Sequence, residues 1–162
     1  TMPLGYQHCL TVPREITVDS DGSLLQNPIR ELLSLRGEKM SISDGERVET
    51  LLPFDLTAEV IGSFEITFCG ALTMSWDGNI FELRFTNEKF GGGRTVRKVA
   101  LGKCSNIRII ADKSSVEIYL DDGKTVLSSR MYPESDKVGL TVKGLNAELF
   151  TLKEMEVSYL GE

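Results

Sequence analysis

The clearest structural signal in the chain lies in residues 107–120, which read IRIIADKSSVEIYL. Apolar residues occupy every second position on both sides of a polar break: Ile107, Ile109 and Ala111 before it, then Val116, Ile118 and Leu120 after it. A period of two is typical of strands with one buried face. The break, Asp112-Lys113-Ser114, supplies a turn. The stretch therefore predicts an antiparallel hairpin, with Glu117 and Tyr119 on the face opposite the core.

The two faces of this hairpin should contribute differently to stability. On the inward face, the change Ile118→Ala is expected to cost about 2–5 kcal/mol, the usual range for truncating a packed aliphatic side chain. Glu117 is expected on an exposed face, where it would meet a Lys or Arg across the strands, so that Glu117→Ala should cost much less.

The alternating pattern extends outward to most of the chain. Residues 64–85 form a second hairpin around Asp77-Gly78-Asn79, because glycine and asparagine tolerate the positive φ of tight turns. Further strands are predicted at Thr125–Met131, Val138–Val142, Ala147–Leu152 and Met155–Leu160. Only Ile29–Leu35 reads as helical, and Gly91-Gly92-Gly93 reads as a hairpin loop. Turn signals recur about every ten residues, which predicts an all-β fold, a two-sheet antiparallel sandwich of the lectin-like jelly-roll type.

Length and charge narrow the functional classes. The chain has 162 residues, which fits one domain with a full hydrophobic core. Its net charge is −6, and no basic face is visible, so nucleic acid is not an expected partner. No apolar run approaches the roughly 18 residues of a membrane helix, so a membrane is not expected either. The first residues lack the basic and apolar regions of a signal peptide, which favours a cytoplasmic location.

Cysteine and histidine usage argues against a disulfide framework or a zinc site. Cys9, Cys69 and Cys104 form no C-x-x-C pair, and they are expected to be reduced, packed residues. His8 stands alone and reads as a surface or interdomain residue rather than as a metal ligand or a base. No metal and no organic cofactor is expected.

Two blocks of the sequence together resemble a known family. The first comprises LTVPREITV at 10–18 and LLQNPIREL at 24–32, followed by Leu35-Arg36. The second comprises RIIADKSSVEIY at 108–119, then Asp122-Gly123 and SRMYP at 129–133. In this order and spacing they resemble the C-terminal domain of glycoside hydrolase family 32, the family of invertases, sucrose-6-phosphate hydrolases, levanases and inulinases. The resemblance implies a two-sheet β-sandwich, in agreement with the strand pattern.

The resemblance also implies a partner. In that family the catalytic residues belong to an N-terminal five-bladed β-propeller that hydrolyses β-D-fructofuranosides without a cofactor. Residues 1–12 would then be the tail of a propeller and a linker, and residues 13–162 the sandwich. The implied role of the sandwich is to stabilise the propeller, with self-association as a further expectation.

The family's catalytic motifs are not found in this sequence. These are a Trp-Met-Asn-Asp-Pro-Asn-Gly-like segment, an Arg-Asp-Pro segment and a Glu-Cys pair. The segment Trp76-Asp77-Gly78-Asn79 lacks the Asp-Pro step of the first, so no catalytic residue is carried over. Among residues outside those motifs, Asp112 and Glu117 are the best candidates for the paired carboxylates of a glycosidase. The roles expected for these two residues are a turn cap and a cross-strand ion pair.

The alternative function is that of an independent module that binds fructose-containing sugars. Such a site needs an aromatic platform and a few converging polar groups. Aromatic candidates are Trp76, Tyr119, Tyr132 and Phe90, and polar candidates are Arg94, Glu82, Arg84 and Glu117. The set predicted for sugar binding is Trp76, Tyr119, Glu117 and Arg94. Trp76 continues an apolar stripe and reads equally as a core residue, whereas Tyr119 is expected at the surface.

Overall fold

The computed structural model describes residues 10–154. Within that range the chain forms strands, a 3₁₀ helix at Arg30–Leu35 and one short α-helix, α1, at Glu88–Gly91. The strands are β1 Arg14–Val18, β2 Leu24–Pro28, β3 Arg36–Ile42, β4 Arg47–Leu51, β5 Phe54–Glu59, β6 Phe64–Phe68, β7 Leu72–Trp76, β8 Ile80–Phe85, β9 Val96–Ala100, β10 Asn106–Asp112, β11 Ser115–Leu120, β12 Thr125–Arg130, β13 Lys137–Lys143 and β14 Ala147–Leu152.

Two six-stranded antiparallel sheets form the body of the domain. Sheet I has the order β12-β11-β10-β5-β14-β3, and sheet II has the order β4-β13-β6-β7-β8-β9. Their inner faces enclose one core that includes Leu56, Ile66, Leu83 and Ile118, all fully buried. Strands β1 and β2 pair only with each other and form a separate ribbon. The predicted all-β, two-sheet antiparallel sandwich is confirmed.

The hairpin of residues 107–120 has the predicted register. Ile109 lies opposite Ile118, and Ile107 lies opposite Leu120, so both pairs face the core. The predicted hairpin at residues 64–85 is also present, with Trp76 opposite Phe81 across the turn at Asp77. Strands β12, β13 and β14 match three of the four further predicted strands within one residue at most of their ends. The fourth, Met155–Leu160, lies outside the described residues.

The outer face of sheet I is partly covered and not fully exposed to solvent. Leu32, Ile110 and Tyr119 form a second buried cluster there, covered by Val12, Ile29 and neighbouring apolar side chains. Ile29 donates its backbone N–H to the carbonyl of Pro13, which fixes the 3₁₀ helix beside the incoming segment. The lone helical prediction at Ile29–Leu35 is therefore confirmed as a 3₁₀ helix of about two turns, Arg30–Leu35. Its role is to cover half of a sheet.

Some elements differ from the sequence predictions. The glycines at 91–93 lie in the loop that connects the paired strands β8 and β9, as predicted, but that loop also contains the helix Glu88–Gly91, with Asn87 accepting the Phe90 N–H and Gly92 closing the helix at φ +56°. Strands β1 to β5 and β9 were not anticipated individually, since Leu24–Pro28 and Val96–Ala100 show no clean alternation. Cys104 is buried as expected, whereas Cys69 is exposed in the β6–β7 turn.

The inward placement of Ile118 generates a stability prediction. Ile118 is fully buried between the sheets, so Ile118→Ala should lower the free energy of unfolding by about 2–5 kcal/mol. The control Ser41→Ala, on the exposed face of β3, should change it by less than about 0.5 kcal/mol. Urea denaturation of both variants checks the assignment. Equal midpoints for the two variants would contradict the register.

Candidate functional site

The outer face of sheet I carries a buried carboxylate, that of Glu117 on β11. One of its oxygens accepts the backbone N–H of Val12 at 2.6 Å. The other accepts a hydrogen bond from the Arg14 guanidinium at 3.0 Å and one from the Tyr119 hydroxyl at 2.8 Å. Only 4% of Glu117 is exposed. The carboxylate therefore holds the segment that precedes β1 against the sheet.

A second buried carboxylate, Asp55, lies on the same face. Arg108 donates two hydrogen bonds to it, at 3.0 and 2.7 Å, and Arg36 donates a further one at 2.9 Å. The Arg36 guanidinium also lies 4.1 Å from the centroid of the Phe150 ring. Two guanidinium groups around one carboxylate leave local positive charge beneath the surface.

Tyr119 was expected at the surface, and that expectation is wrong. The side chain does point away from the core, as the alternation requires, but the ribbon and the 3₁₀ helix cover it, so that it is 1% exposed. Burial, together with the hydrogen bond to the Glu117 carboxylate, raises the pKa of the Tyr119 hydroxyl. A tyrosine held in this way acts as a neutral hydrogen-bond donor.

Glu117 was likewise expected on an exposed face, and this is also corrected. The cross-strand cation that the sequence predicted for it does exist, but it is Arg14 from the β1–β2 ribbon rather than a residue of a neighbouring strand in the sheet. Asp112, the other carboxylate considered as a catalytic candidate, is exposed. Its side chain accepts the N–H of Lys113 at 2.7 Å, as a turn residue does.

The other two residues predicted for sugar binding lie elsewhere. Trp76 is buried in the main core, and its indole N–H donates to the Leu101 carbonyl at 2.7 Å. Arg94 follows α1 and donates to the Gly91 carbonyl at 3.0 Å, near the opposite end of β8 from Trp76. The structure thus brings Glu117 and Tyr119 together, and places Trp76 and Arg94 at two separate ends of sheet II.

The remaining sugar-site candidates are also dispersed. Phe90 packs in the main core against Phe68 and Phe85. Glu82 forms ion pairs with its neighbours Arg84 and Lys98 on the outer face of sheet II.

Beside the covered part of sheet I, an open cleft of about 820 Å³ lies over the outer face of its middle strands. We call it the polar cleft. Its floor includes Thr57, Arg108 and Glu148, which lie side by side on β5, β10 and β14. No sequence pattern indicates this cleft, because polar residues on the outer face of a strand look like any solvated surface. Only the strand order brings these three together.

Within residues 10–154 the structure contains neither a candidate metal site nor a candidate membrane-spanning helix. No group of three or more His, Cys, Asp and Glu side chains is arranged to hold a metal ion there. No helix in that part of the chain is both long and apolar enough to span a bilayer.

Comparison with known proteins relates this geometry to a family. Residues 81–158 match the family described as "Glycosyl hydrolases family 32 C terminal". The sucrose-6-phosphate hydrolase of Klebsiella pneumoniae is 35% identical over 141 residues, which are 82% of this chain and 28% of that protein. The chain belongs to the C-terminal domains of glycosyl hydrolase family 32. The chain spans less than a third of the curated relatives it matches first.

Solved structures support the fold of this family 32 C-terminal domain. A sucrose-6-phosphate hydrolase from Lactobacillus gasseri superimposes with a TM-score of 0.75 at 15% identity, covering 86% of this chain and 33% of that one. A family 32 β-fructofuranosidase of Bombyx mori gives 0.72 at 19% identity, covering 88% of this chain and 32% of that one. At such identities the likeness concerns the fold alone.

The burial of Glu117 generates a prediction that reverses the one made from the sequence. Glu117→Ala leaves the Arg14 guanidinium without its carboxylate and the Tyr119 hydroxyl without its acceptor. The free energy of unfolding should fall by about 3 kcal/mol, the lower end of the range for breaking a buried pair, because Arg14 keeps some solvent contact.

The matched control is Glu65→Ala, which removes an exposed pair with Lys143 on sheet II. That change should cost less than about 1 kcal/mol. Denaturant titration of the two variants gives the comparison. Equal losses would mean that the Glu117 network contributes no more than a surface pair.

Proposed function

We propose that this domain is the non-catalytic accessory domain of a β-fructofuranosidase that acts on sucrose or sucrose 6-phosphate, and that it packs against and stabilises a five-bladed propeller carrying the catalytic residues. The names of its relatives and its partial coverage of them support this role. The observation that carries the packing proposal is an exposed apolar face on the β1–β2 ribbon.

The ribbon presents three large apolar side chains to solvent on one face. Val18 lies directly opposite Leu24, and Ile16 lies two residues before Val18, so alternation places all three on the same face. They are 57–66% exposed. An isolated two-stranded ribbon is marginally stable in water, and a contiguous apolar face on it is typical of a surface that another protein covers.

The ribbon is anchored at its other end to sheet I. The Gln26 N–H donates to the Gly123 carbonyl at 3.0 Å, and Arg14 bonds both Glu117 and Ser128. Gly123 has a φ of +81°, and a Cβ there would collide with the Gln26 carbonyl, so only glycine permits this close approach. In our proposal residues 1–12 link the sandwich to the propeller, and the Val12 contact with Glu117 fixes where that link meets the sandwich.

The side chains of the sandwich support a non-catalytic role. A retaining glycosidase needs two carboxyl groups about 5–5.5 Å apart, one as acid and one as nucleophile. Both oxygens of Glu117 accept hydrogen bonds, and Asp55 is enclosed by two guanidinium groups, so neither carboxylate is available to a substrate.

The chain alone should therefore release no fructose from sucrose, sucrose 6-phosphate or levan. The check is a fructose assay on the purified chain over hours, with a complete family 32 hydrolase as the positive control. Turnover that survives repurification and disappears in the exposed-carboxylate variant Asp112→Asn would contradict the non-catalytic role.

The docking role predicts that the ribbon is the contact surface. The double change Ile16→Ser with Val18→Ser should weaken binding to the catalytic portion of a family 32 sucrose-6-phosphate hydrolase by at least about tenfold, since two apolar side chains would no longer be buried. Titration calorimetry with the separately produced catalytic portion measures this affinity. Thr17→Ala, on the other face of β1, is the control and should leave the affinity unchanged. Equal affinities for all three proteins would exclude the ribbon as the interface.

A further inference from the structure

The floor of the polar cleft is a row of side chains set by strand pairing. Arg108 lies opposite both Tyr119 and Thr57 on its two neighbouring strands, and Thr57 in turn lies opposite Glu148. The next row contains Asn106 and Glu59, which also face each other. Side chains directly opposite in antiparallel strands share one face, so both rows point into the same cleft.

Two walls of the cleft are held in place by hydrogen bonds between loops. On the β14 side, the Asp44 N–H donates to the Asn146 side-chain oxygen at 3.0 Å, and the Gly144 N–H donates to the Asp44 carboxylate at 2.7 Å. On the β11 side, Asn27 donates to the Asp122 carbonyl at 2.7 Å, and Asn106 donates to the Asp122 carboxylate at 3.1 Å. A cleft braced in this way keeps its shape without a ligand.

Several groups on the floor retain hydrogen-bonding capacity. Within residues 10–154, the Thr57 hydroxyl and the Glu59 carboxylate have no hydrogen-bond or ion-pair partner, although Thr57 is half-buried. Arg108 donates from its Nε and Nη2 to Asp55, and its Nη1 makes no hydrogen bond to another of residues 10–154. The floor thus offers a donor, a hydroxyl and carboxylate oxygens within two rows of one sheet.

The charge of the lining restricts the ligand. Four carboxylates line the cleft, from Asp44, Glu59, Asp122 and Glu148, against the single guanidinium of Arg108. Anions such as sugar phosphates would meet like charge, whereas the hydroxyl groups of a neutral sugar can donate to the carboxylates and accept from Arg108. Ile61, 97% exposed at the rim, adds an apolar surface for the C–H face of a sugar ring. The volume falls within the usual range for small-ligand sites.

From these observations we infer that the polar cleft on sheet I is a binding site for short, uncharged oligosaccharides. Thr57 and Glu59 supply the free hydrogen-bonding groups, and the acidic lining discriminates against phosphorylated sugars. This site differs from the set predicted from the sequence, of which only Tyr119 borders it. It is independent of the docking role, because the β1–β2 ribbon's apolar face contributes no residue to it.

The test is a titration of the complete chain, followed by NMR chemical shifts, with sucrose, raffinose and 1-kestose as neutral probes and sucrose 6-phosphate as the anionic one. Saturable shifts are expected for the neutral sugars, with weaker binding of the phosphate. Thr57→Val and Glu59→Gln should each lower the affinity by about tenfold, as expected for losing one hydrogen bond at a polar site. Glu59 is exposed, so its variant tests the cleft without disturbing the core.

The matched control is Thr67→Val, a half-buried threonine on the outer face of sheet II, which should leave sugar binding unchanged. Three outcomes would overturn the inference: no saturable binding of any neutral sugar, equal affinity in the wild type and both cleft variants, or tighter binding of sucrose 6-phosphate. Loss of binding to the catalytic portion in the cleft variants, with no sugar binding by the wild type, would make the cleft a docking surface instead. None of these results depends on whether the ribbon variants behave as proposed.

Discussion

The carboxylate of Glu117 is the interaction on which the arrangement of this domain depends. It lies on β11, next to the edge strand of sheet I, yet its three partners include the backbone of Val12 and the side chain of Arg14, both from the segment that enters the domain. A buried carboxylate without partners would be costly, so the entering segment must lie where it does. Since Val12 also packs on the cluster around Tyr119, the same contact divides the outer face into a covered half and an open half. The ribbon and the polar cleft are both consequences of that division.

Four of the acidic residues on this face show how position governs what a carboxylate can do. Glu117 and Asp55 lie in the row next to the entering segment, and both are paired, Glu117 with the guanidinium of Arg14 and Asp55 with those of two arginines. Glu148 lies one row further along and pairs with the exposed Lys39, and Glu59 lies two rows further along, exposed and unpaired within the described residues. The first two fix the structure, and the latter two remain available to a ligand. Strand register alone, in steps of two residues, separates the two roles.

The sequence predicted the structure correctly where burial of one strand face against the core determines the residue pattern. The alternation at 107–120 gave the hairpin, its register and its core residues, because burial on the inner face requires that pattern. The same logic failed for Tyr119 and Glu117, since alternation predicts which side a residue faces and not what covers that side. Their cover comes from residues about a hundred positions away, a separation at which no local pattern carries information. The polar cleft could not be predicted from the sequence for the same reason, because only the strand order of the folded sheet brings Thr57, Arg108 and Glu148 together.

The two surfaces proposed as functional differ in a way that fits a division of roles. The apolar face of the ribbon stands on a two-stranded element with little support of its own, so its exposure in isolation is unfavourable and a partner would relieve it. The polar cleft stands on the middle of a six-stranded sheet, braced by loop hydrogen bonds that exist without any ligand. A docking surface can adapt its shape to a partner, whereas a site for a small polar ligand must be formed in advance to bind at all. The sheet therefore provides the rigid site, and the ribbon at the point of entry provides the adaptable one.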